Sequence, residues 1–428
     1  MKYNTQNAKI KSITEKTLIV GIDVGSETHF ARAFDWRNYE YSKKPFEFSN
    51  NEAGFVTFKA WMENIAAKQG KDVVIPGMEP TGHYWFNLGA YLQDNGMKPV
   101  HVNPHHVKKS KELDDNNPNK NDRKDPKTIA ALVNEGRFSY PYIPTGIYAE
   151  IRSFSNLRLQ TQEEITRIKN RIARWFSIYF PEIKDVYKNP DAVSSLMILK
   201  VAPLPQDIVE LGADGINKIW REAKLRAAGQ KRAKTLLTAA EHSIGSREAP
   251  DSARMELKNL LSDYEIYRKR EEELMDMLEE KLSEIPYIDK LLEIKGIGLK
   301  TVSGFIAEVG DIKRFDDPKQ LQKLAGYAIV ECSSGKHKGE SHISYRGRKR
   351  LRYVLYEAAI SLIARNEEFK EVHRYYRTRK ENPLKKMQSV IAVACKALRI
   401  FYAILTKGVD YDGAKMLKDI RRPQMSAV

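Results

Sequence analysis

The sequence predicts two fold classes in one chain: a mixed α/β sheet domain over residues 1–150, then an all-α remainder. The remainder divides into a helical coiled-coil middle, 151–286, and a helical C-terminal section, 287–428. Three observations predict this. Short, almost wholly apolar runs alternate with helix-like stretches in the first part. In the middle, apolar residues step by three and four, and long apolar helical runs fill the end. The chain has 428 residues, and at roughly 150 per domain that length accommodates two or three units with their own cores.

TLIVGIDV (17–24) reads as a central strand, because a strand covered on both faces shows no polar alternation. Gly25 and Ser26 turn the chain into HFARAFDW (29–36), a second strand. FEFSN follows, with Ser49 or Asn50 placed to cap a helix running to about Lys68. DVVIPGME (72–79) is another strand, followed by a helix through Tyr91 and then KPVHVN (98–103). Residues 104–121 are charged, asparagine-rich and interrupted by Pro118, so a mobile surface loop is expected. DRKDPKTIAALVNEG then reads as a helix stopped by Gly136.

Ile165, Ile168, Ile172, Trp175 and Tyr179 form a coiled-coil stripe, resumed by Leu260, Tyr264, Tyr267, Leu274, Leu278 and Ile285. These stripes are expected to pair with a partner subunit; the alternative is two long helices packed within their own domain. Residues 181–250 hold most of the region's prolines and turn residues and read as a separate insertion. LLEIKGIGLKTVSGFIAEVGD looks like a helix-hairpin-helix, with Gly296-Ile297-Gly298 as the hairpin. The C-terminal section carries one loop, 327–347, rich in Gly, Ser and Lys.

Lys and Arg number 72 against 56 Asp and Glu, a formal net charge of +16 that favours a polyanionic partner, most often nucleic acid. Hydrophobic residues at 42% and aromatics at 10% exclude wholesale disorder. Two cysteines, Cys332 and Cys395, exclude a disulfide framework and a multi-cysteine zinc site. The polar start MKYNTQNAKIKS lacks a signal-peptide core. Val390 to Leu405 is apolar but interrupted by Lys396 and Arg399, so a buried helix is expected and not a membrane span. A cytoplasmic protein without a membrane partner is expected.

Asp23 ends the first strand beside Gly21 and Gly25, whose small size lets another backbone come close. Glu79 ends a second strand, and Asp122 and Asp125 stand three apart at a helix start, on one face. Carboxylates at strand ends converge on one edge of such a sheet. Four together repel unless a divalent cation neutralises them, and oxygen ligands select Mg²⁺ or Mn²⁺. Two such ions about 4 Å apart can activate an attacking oxygen and stabilise a leaving one.

Residues 336–352 hold Lys336, Lys338, Arg346, Arg348, Lys349, Arg350 and Arg352 against a single acid, Glu340. Such a cluster grips phosphates, and Tyr345 and Tyr353 offer stacking platforms. Gly296 and Gly298 would free backbone amides at a helix N-terminus for a DNA phosphate. RYYRTRK (374–380) reads as a further nucleic-acid-facing surface. His101, His105 and His106 lack a matching acid pattern for a metal site. Arg350, His373 and Tyr375 or Tyr376 are spaced too closely for a tyrosine-recombinase arrangement.

"IVGIDVGSETH", "GMEPTGHYW" and "KNDRKDPKTIAAL" resemble the Asp–Glu–Asp–Asp motifs of the RuvC-like, RNase H-fold domain of a family of bacterial insertion-sequence transposases. This is the DEDD type, which includes the Piv-type DNA invertases and members guided by a bridge RNA. The resemblance implies that Asp23, Glu79, Asp122 and Asp125 are catalytic Mg²⁺ ligands in a domain spanning 1–150. "SSGKHKGESHISYRGRKRLR" resembles the family's C-terminal serine domain, here 287–428, and matches Ser334 to a nucleophilic serine, with Ser333 as the other register. The usual proline before that serine is missing, AGYAIVEC standing there instead. A serine hydroxyl needs activation; in the family its domain docks against the carboxylate site, usually of another subunit, and attack on DNA gives a phosphoserine link.

The resemblance implies a DNA transposase acting as a homodimer or homotetramer on donor and target duplexes, with a non-coding guide RNA from its own element. The residues alone leave two rivals: a Mg²⁺-dependent, structure-selective nuclease using water, and a nucleic-acid-binding protein with structural carboxylates.

Overall fold

The computed structural model describes residues 6–42, 44–80, 82–114, 125–189, 192–226, 228–330, 333–334, 337–338 and 342–421. Two compact units divide the chain, Met1–Ile143 and Pro144–Val428.

The first unit runs α1 (Gln6–Lys11), β1 (Thr17–Val24), β2 (Thr28–Phe34), β3 (Phe46–Ser49), α2 (Glu52–Lys68), β4 (Val73–Met78), α3 (Trp85–Asp94), β5 (Val100–Val102), α4 (Pro104–Asp114), α5 (Asp125–Asn134) and β6 (Phe138–Ser139). Its strands form one mixed sheet in the order β3-β2-β1-β4-β5-β6. β1 lies antiparallel to β2 and parallel to β4, which is itself parallel to β5. Alternation along β1 separates two cores. Leu18, Val20, Ile22 and Val24 pack with Phe58 and Leu88 on one face. Ile19 packs with Val100, Ile129 and Val133 on the other.

Two expectations need correcting here. The cap of α2 is neither Ser49 nor Asn50 but Asn51, whose Oδ1 accepts the Gly54 amide at 2.8 Å. Asn50 instead donates its side-chain amide to the Ser26 carbonyl at 2.9 Å, tying down the β1–β2 turn. The stretch expected as a loop from 104 is helical through Asp114. Asn103 starts this helix by accepting the His105 amide at 2.9 Å, with Pro104 at its first position, and Val107, 1% exposed, anchors it in the second core. The rest of that stretch, 115–121 with Pro118, lies outside the described residues; the helix expected after it is α5.

The second unit runs α6 (Ile147–Tyr179), α7 (Ile183–Val186), α8 (Val193–Val201), α9 (Pro205–Glu222), α10 (Gln230–Glu241), α11 (Pro250–Ser283), α12 (Ile288–Leu292), α13 (Leu299–Val309), α14 (Pro318–Leu324), β7 (Ile329–Val330), β8 (Ser333–Ser334), β9 (His337–Lys338), β10 (His342–Ile343), α15 (Lys349–Arg365), α16 (Glu367–Thr378), α17 (Lys386–Lys407) and α18 (Gly413–Arg421). It has two cores. In one, Ile165, Ile168, Ile172 and Trp175 of α6 pack with Leu257, Leu260, Leu261 and Tyr264 of α11 and with residues of α8–α10 such as Trp220. Trp175 Nε1 donates to the Ala253 carbonyl at 3.0 Å. The α6 stripe expected to meet a partner subunit is therefore covered by the chain itself.

The other core joins Leu278 and Leu282 of α11 to Phe305, Leu355 and Phe401. α17 is long and apolar enough to cross a membrane by length and composition. Its Val393, Ala397 and Phe401 are buried at the centre of this core. The expected loop 327–347 contains paired strands: β7 with β10, and β8 with β9.

Candidate functional site

The first candidate site is the edge of the sheet where β1 and β4 end. Their parallel register pairs Gly21 with Gly77 and Ile22 with Met78. Asp23 and Glu79 each follow by one residue, so they end neighbouring strands at the same edge. A Cβ on Gly21 would lie 1.8 Å from the Pro126 carbonyl oxygen, and one on Gly77 would lie 2.6 Å from Val133 Cγ2. These glycines let α5 rest directly on the two strands. Strand alternation puts Asp23 on the same face as Gly21, and Asp125, buried, opens the helix lying there.

The structure thus brings Asp23, Glu79 and Asp125 to one edge, and Asp122 lies outside the described residues. Among the described residues no three Asp, Glu, His or Cys side chains gather closely enough to hold a metal ion. Asp23, Glu79 and Asp125 offer carboxylate oxygens at this edge, a chemistry that fits a hard divalent cation.

Motif reading passed over His29. It is fully buried on β2, paired in register with Val24, and stacks near Phe48 and Phe55. Its Nδ1 accepts the Gly25 amide at 3.2 Å, so it fastens the turn that follows Asp23. Burial pushes its pKa down, against an opposing hydrogen bond from Asn50. The available signal was its place six residues after Asp23, beyond a Gly-Ser turn. His101 pairs in register with Met78 and meets Trp85 edge-on at 4.2 Å between ring centres, so it belongs to the apolar face opposite α5. Burial lowers its pKa to about 4.

The second candidate site is the hairpin around Ser334. Ser333 pairs with Lys338 and Ser334 with His337, while Val330 pairs with His342 further out. Both serines therefore lie on the short β8–β9 ladder, Ser334 one pair further along it than Ser333. Lys336 lies outside the described residues, and Lys338 contributes its backbone to β9.

The basic collar beyond the hairpin divides in two. Arg346 and Lys349 are exposed. Arg348 donates to the Glu308 carbonyl at 2.6 Å and lies 3.5 Å from its carboxylate. Arg350 donates to the Ser155 carbonyl at 2.8 Å, to Ser155 Oγ at 3.1 Å and to Asn156, and its Nε lies 3.7 Å from Glu308. Burial pulls the Arg350 pKa down, partly offset by Glu308. Arg352 donates to Ala325 and Tyr345 carbonyls and stacks on the exposed Tyr345 ring.

The hairpin glycines differ as well. Gly296 has φ +100, packs against Ser361 and Leu362 of α15, and accepts from Ser361 Oγ at 2.7 Å. Gly298, at the start of α13, has nothing within 4 Å of its missing Cβ. Away from both sites, His373 Nδ1 lies 2.8 Å from Ser389 Oγ, joining α16 to α17.

Comparison with known proteins finds two family models on this chain. One, described as a transposase and belonging to the DEDD type of IS110, matches residues 20–181. The other, described as the transposase IS116/IS110/IS902 family, matches 288–374. Over 392 residues the chain is 23% identical to the "Insertion element IS116 uncharacterized 44.8 kDa protein" of Streptomyces clavuligerus, spanning 90% of this chain and 94% of that one. Over 129 residues it is 32% identical to the "Putative transposase y4rJ" of Sinorhizobium fredii, spanning 29% of this chain and 32% of the relative.

Proposed function

This chain belongs to the IS116/IS110/IS902 family of insertion-sequence transposases, and on that premise we propose that it cuts and rejoins DNA with a carboxylate-held divalent cation and a serine nucleophile. The observation that carries this reading is the common edge shared by Asp23 and Glu79, with Asp125 opening the helix that lies on Gly21. Asp23, Glu79 and Asp125, with Asp122, would hold Mg²⁺ or Mn²⁺. A cation there would neutralise charge developing on the phosphate oxygens.

Ser334 Oγ would attack the phosphorus and lose its proton. The bond from phosphorus to one deoxyribose oxygen would break, and that oxygen would take up a proton. The phosphoserine diester keeps the bond for rejoining: a hydroxyl of the second strand attacks the same phosphorus and Ser334 recovers its proton. Exposed Arg346 and Lys349 would hold flanking phosphates. A guide RNA and a dimer or tetramer complete the reading; among the described residues the α6 stripe is not the dimer surface.

The test is a covalent-adduct search in cells carrying the gene with its native flanking DNA. The protein is purified under denaturing conditions and digested, and the peptide around Ser334 is examined for attached nucleotide. Nucleotide on Ser334, absent in Asp23→Ala, is the expected result. DNA cut without any adduct would replace the serine mechanism with hydrolysis by water.

A further inference from the structure

We propose that the exposed surface formed by the end of α9 and the start of α10 is a separate binding site for the phosphate backbone of a nucleic acid. It lies in the segment that neither family model covers, between residues 181 and 288. Seven Lys and Arg stand between 218 and 234 against one acid, Glu222. The chain here is as basic as the collar beyond Ser334, yet nothing in the proposed reaction uses it.

Lys224, Arg226, Lys231 and Lys234 are all exposed. Among the described residues no ion pair neutralises any of these four, whereas Lys218 on the preceding turn is paired with Glu222. Lys231 and Lys234 stand three apart on α10 and so share one face. Exposed cations gathered in so short a stretch of chain repel one another, and a polyanion relieves that repulsion.

The shape fits as well. A groove of about 500 Å³ runs between the end of α7 and the start of α10, lined by Val186, Gly229, Gln230, Lys231, Arg232 and Thr235. Its walls combine the Lys231 and Arg232 cations, the Thr235 hydroxyl and the Gln230 amide with the apolar Val186. Arg232 lies over the ring of the buried Tyr187, 5.6 Å from its centre, which holds the guanidinium plane in place. Among the described residues that line the groove none is aromatic, so its cations and hydroxyl suit phosphates better than bases. The recognised chemistry is therefore a run of phosphates, read without regard to sequence, from a DNA duplex or from a folded RNA.

The experiment uses full-length Asp23→Ala protein, which cannot confuse binding with cleavage, and fluorescence anisotropy across a salt series. The probes are a random-sequence DNA duplex and an RNA hairpin of similar length. The variant Lys224→Gln/Arg226→Gln/Lys231→Gln/Lys234→Gln is compared with a control that loses the same charge at exposed Lys68, Lys98, Lys258 and Lys407. Each lost phosphate contact lowers the slope of log affinity against log salt by about 1. The site variant should lose roughly 3 to 4 of slope and at least about tenfold in affinity at ~150 mM salt, on one probe or both. Loss on only one probe identifies the source of the phosphates. An equal loss in the control, or competition by polyglutamate as strong as by DNA, would overturn the proposal. Should the fourfold variant melt early, the pairs Lys224→Gln/Arg226→Gln and Lys231→Gln/Lys234→Gln are tested separately, and unchanged slopes in both would overturn it. The result is independent of any adduct on Ser334, so failure of one reading leaves the other standing.

Discussion

Arg350 and Lys349 are neighbours in sequence with opposite surroundings. Arg350 spends its guanidinium on Ser155, Asn156 and the buried carboxylate of Glu308, while Lys349 is exposed. Arg350→Ala would leave Glu308 with Arg348 alone, at an expected cost of about 2 kcal/mol seen in thermal unfolding, and change the salt slope of DNA binding by less than about 1. Lys349→Ala should do the reverse: unchanged melting and a slope lower by about 1. The charge of such residues is legible in a sequence, but their occupation is not. His101 gives a pH prediction with a definite sign. Burial lowers its folded pKa to about 4 from an ordinary 6.5. The unfolded chain then binds the proton more readily, so the contribution to stability is full above 6.5 and is lost as pH falls from 6.5 toward 4. His29 shifts in the same direction, again through burial. Calorimetry across this window should show the wild type losing stability more steeply than His101→Phe, and parallel curves would remove His101 as the cause.

Among the elements, the long apolar strands were legible because β1 is buried on both faces and needs no polar alternation. α4 was not: its composition is charged, and among its described side chains Val107 is the buried one, with Asn103 capping the start. The ribbon around Ser334 escaped for another reason, since two-residue strands are too short for any periodicity to register. The α6 stripe was read correctly as apolar and helical, and the expected partner was wrong. Trp175, 1% exposed and bonded to Ala253, lies inside the chain's own core. Trp175→Ala should cost about 3–5 kcal/mol by cavity formation. Light scattering should show the oligomeric state unchanged; dissociation would return the stripe to an intersubunit role.

At the scale of the whole molecule, two compact units and, within the second, two separate cores imply unfolding in more than one step. Scanning calorimetry should resolve at least two transitions, with His101→Phe moving one and Trp175→Ala another; a single transition shifted by both would contradict this division. The sequence by itself determined the mixed sheet followed by helices, the basic character of the chain, and the carboxylates at strand ends, because these follow from local patterns of apolar, charged and turn-forming residues. Only the tertiary structure decided that α5 lies on Gly21 and Gly77, that the α6 stripe is covered from within, and that Arg348 and Arg350 serve Glu308. A local pattern shows which face of an element must be covered; what covers it is set by packing between residues far apart in the chain.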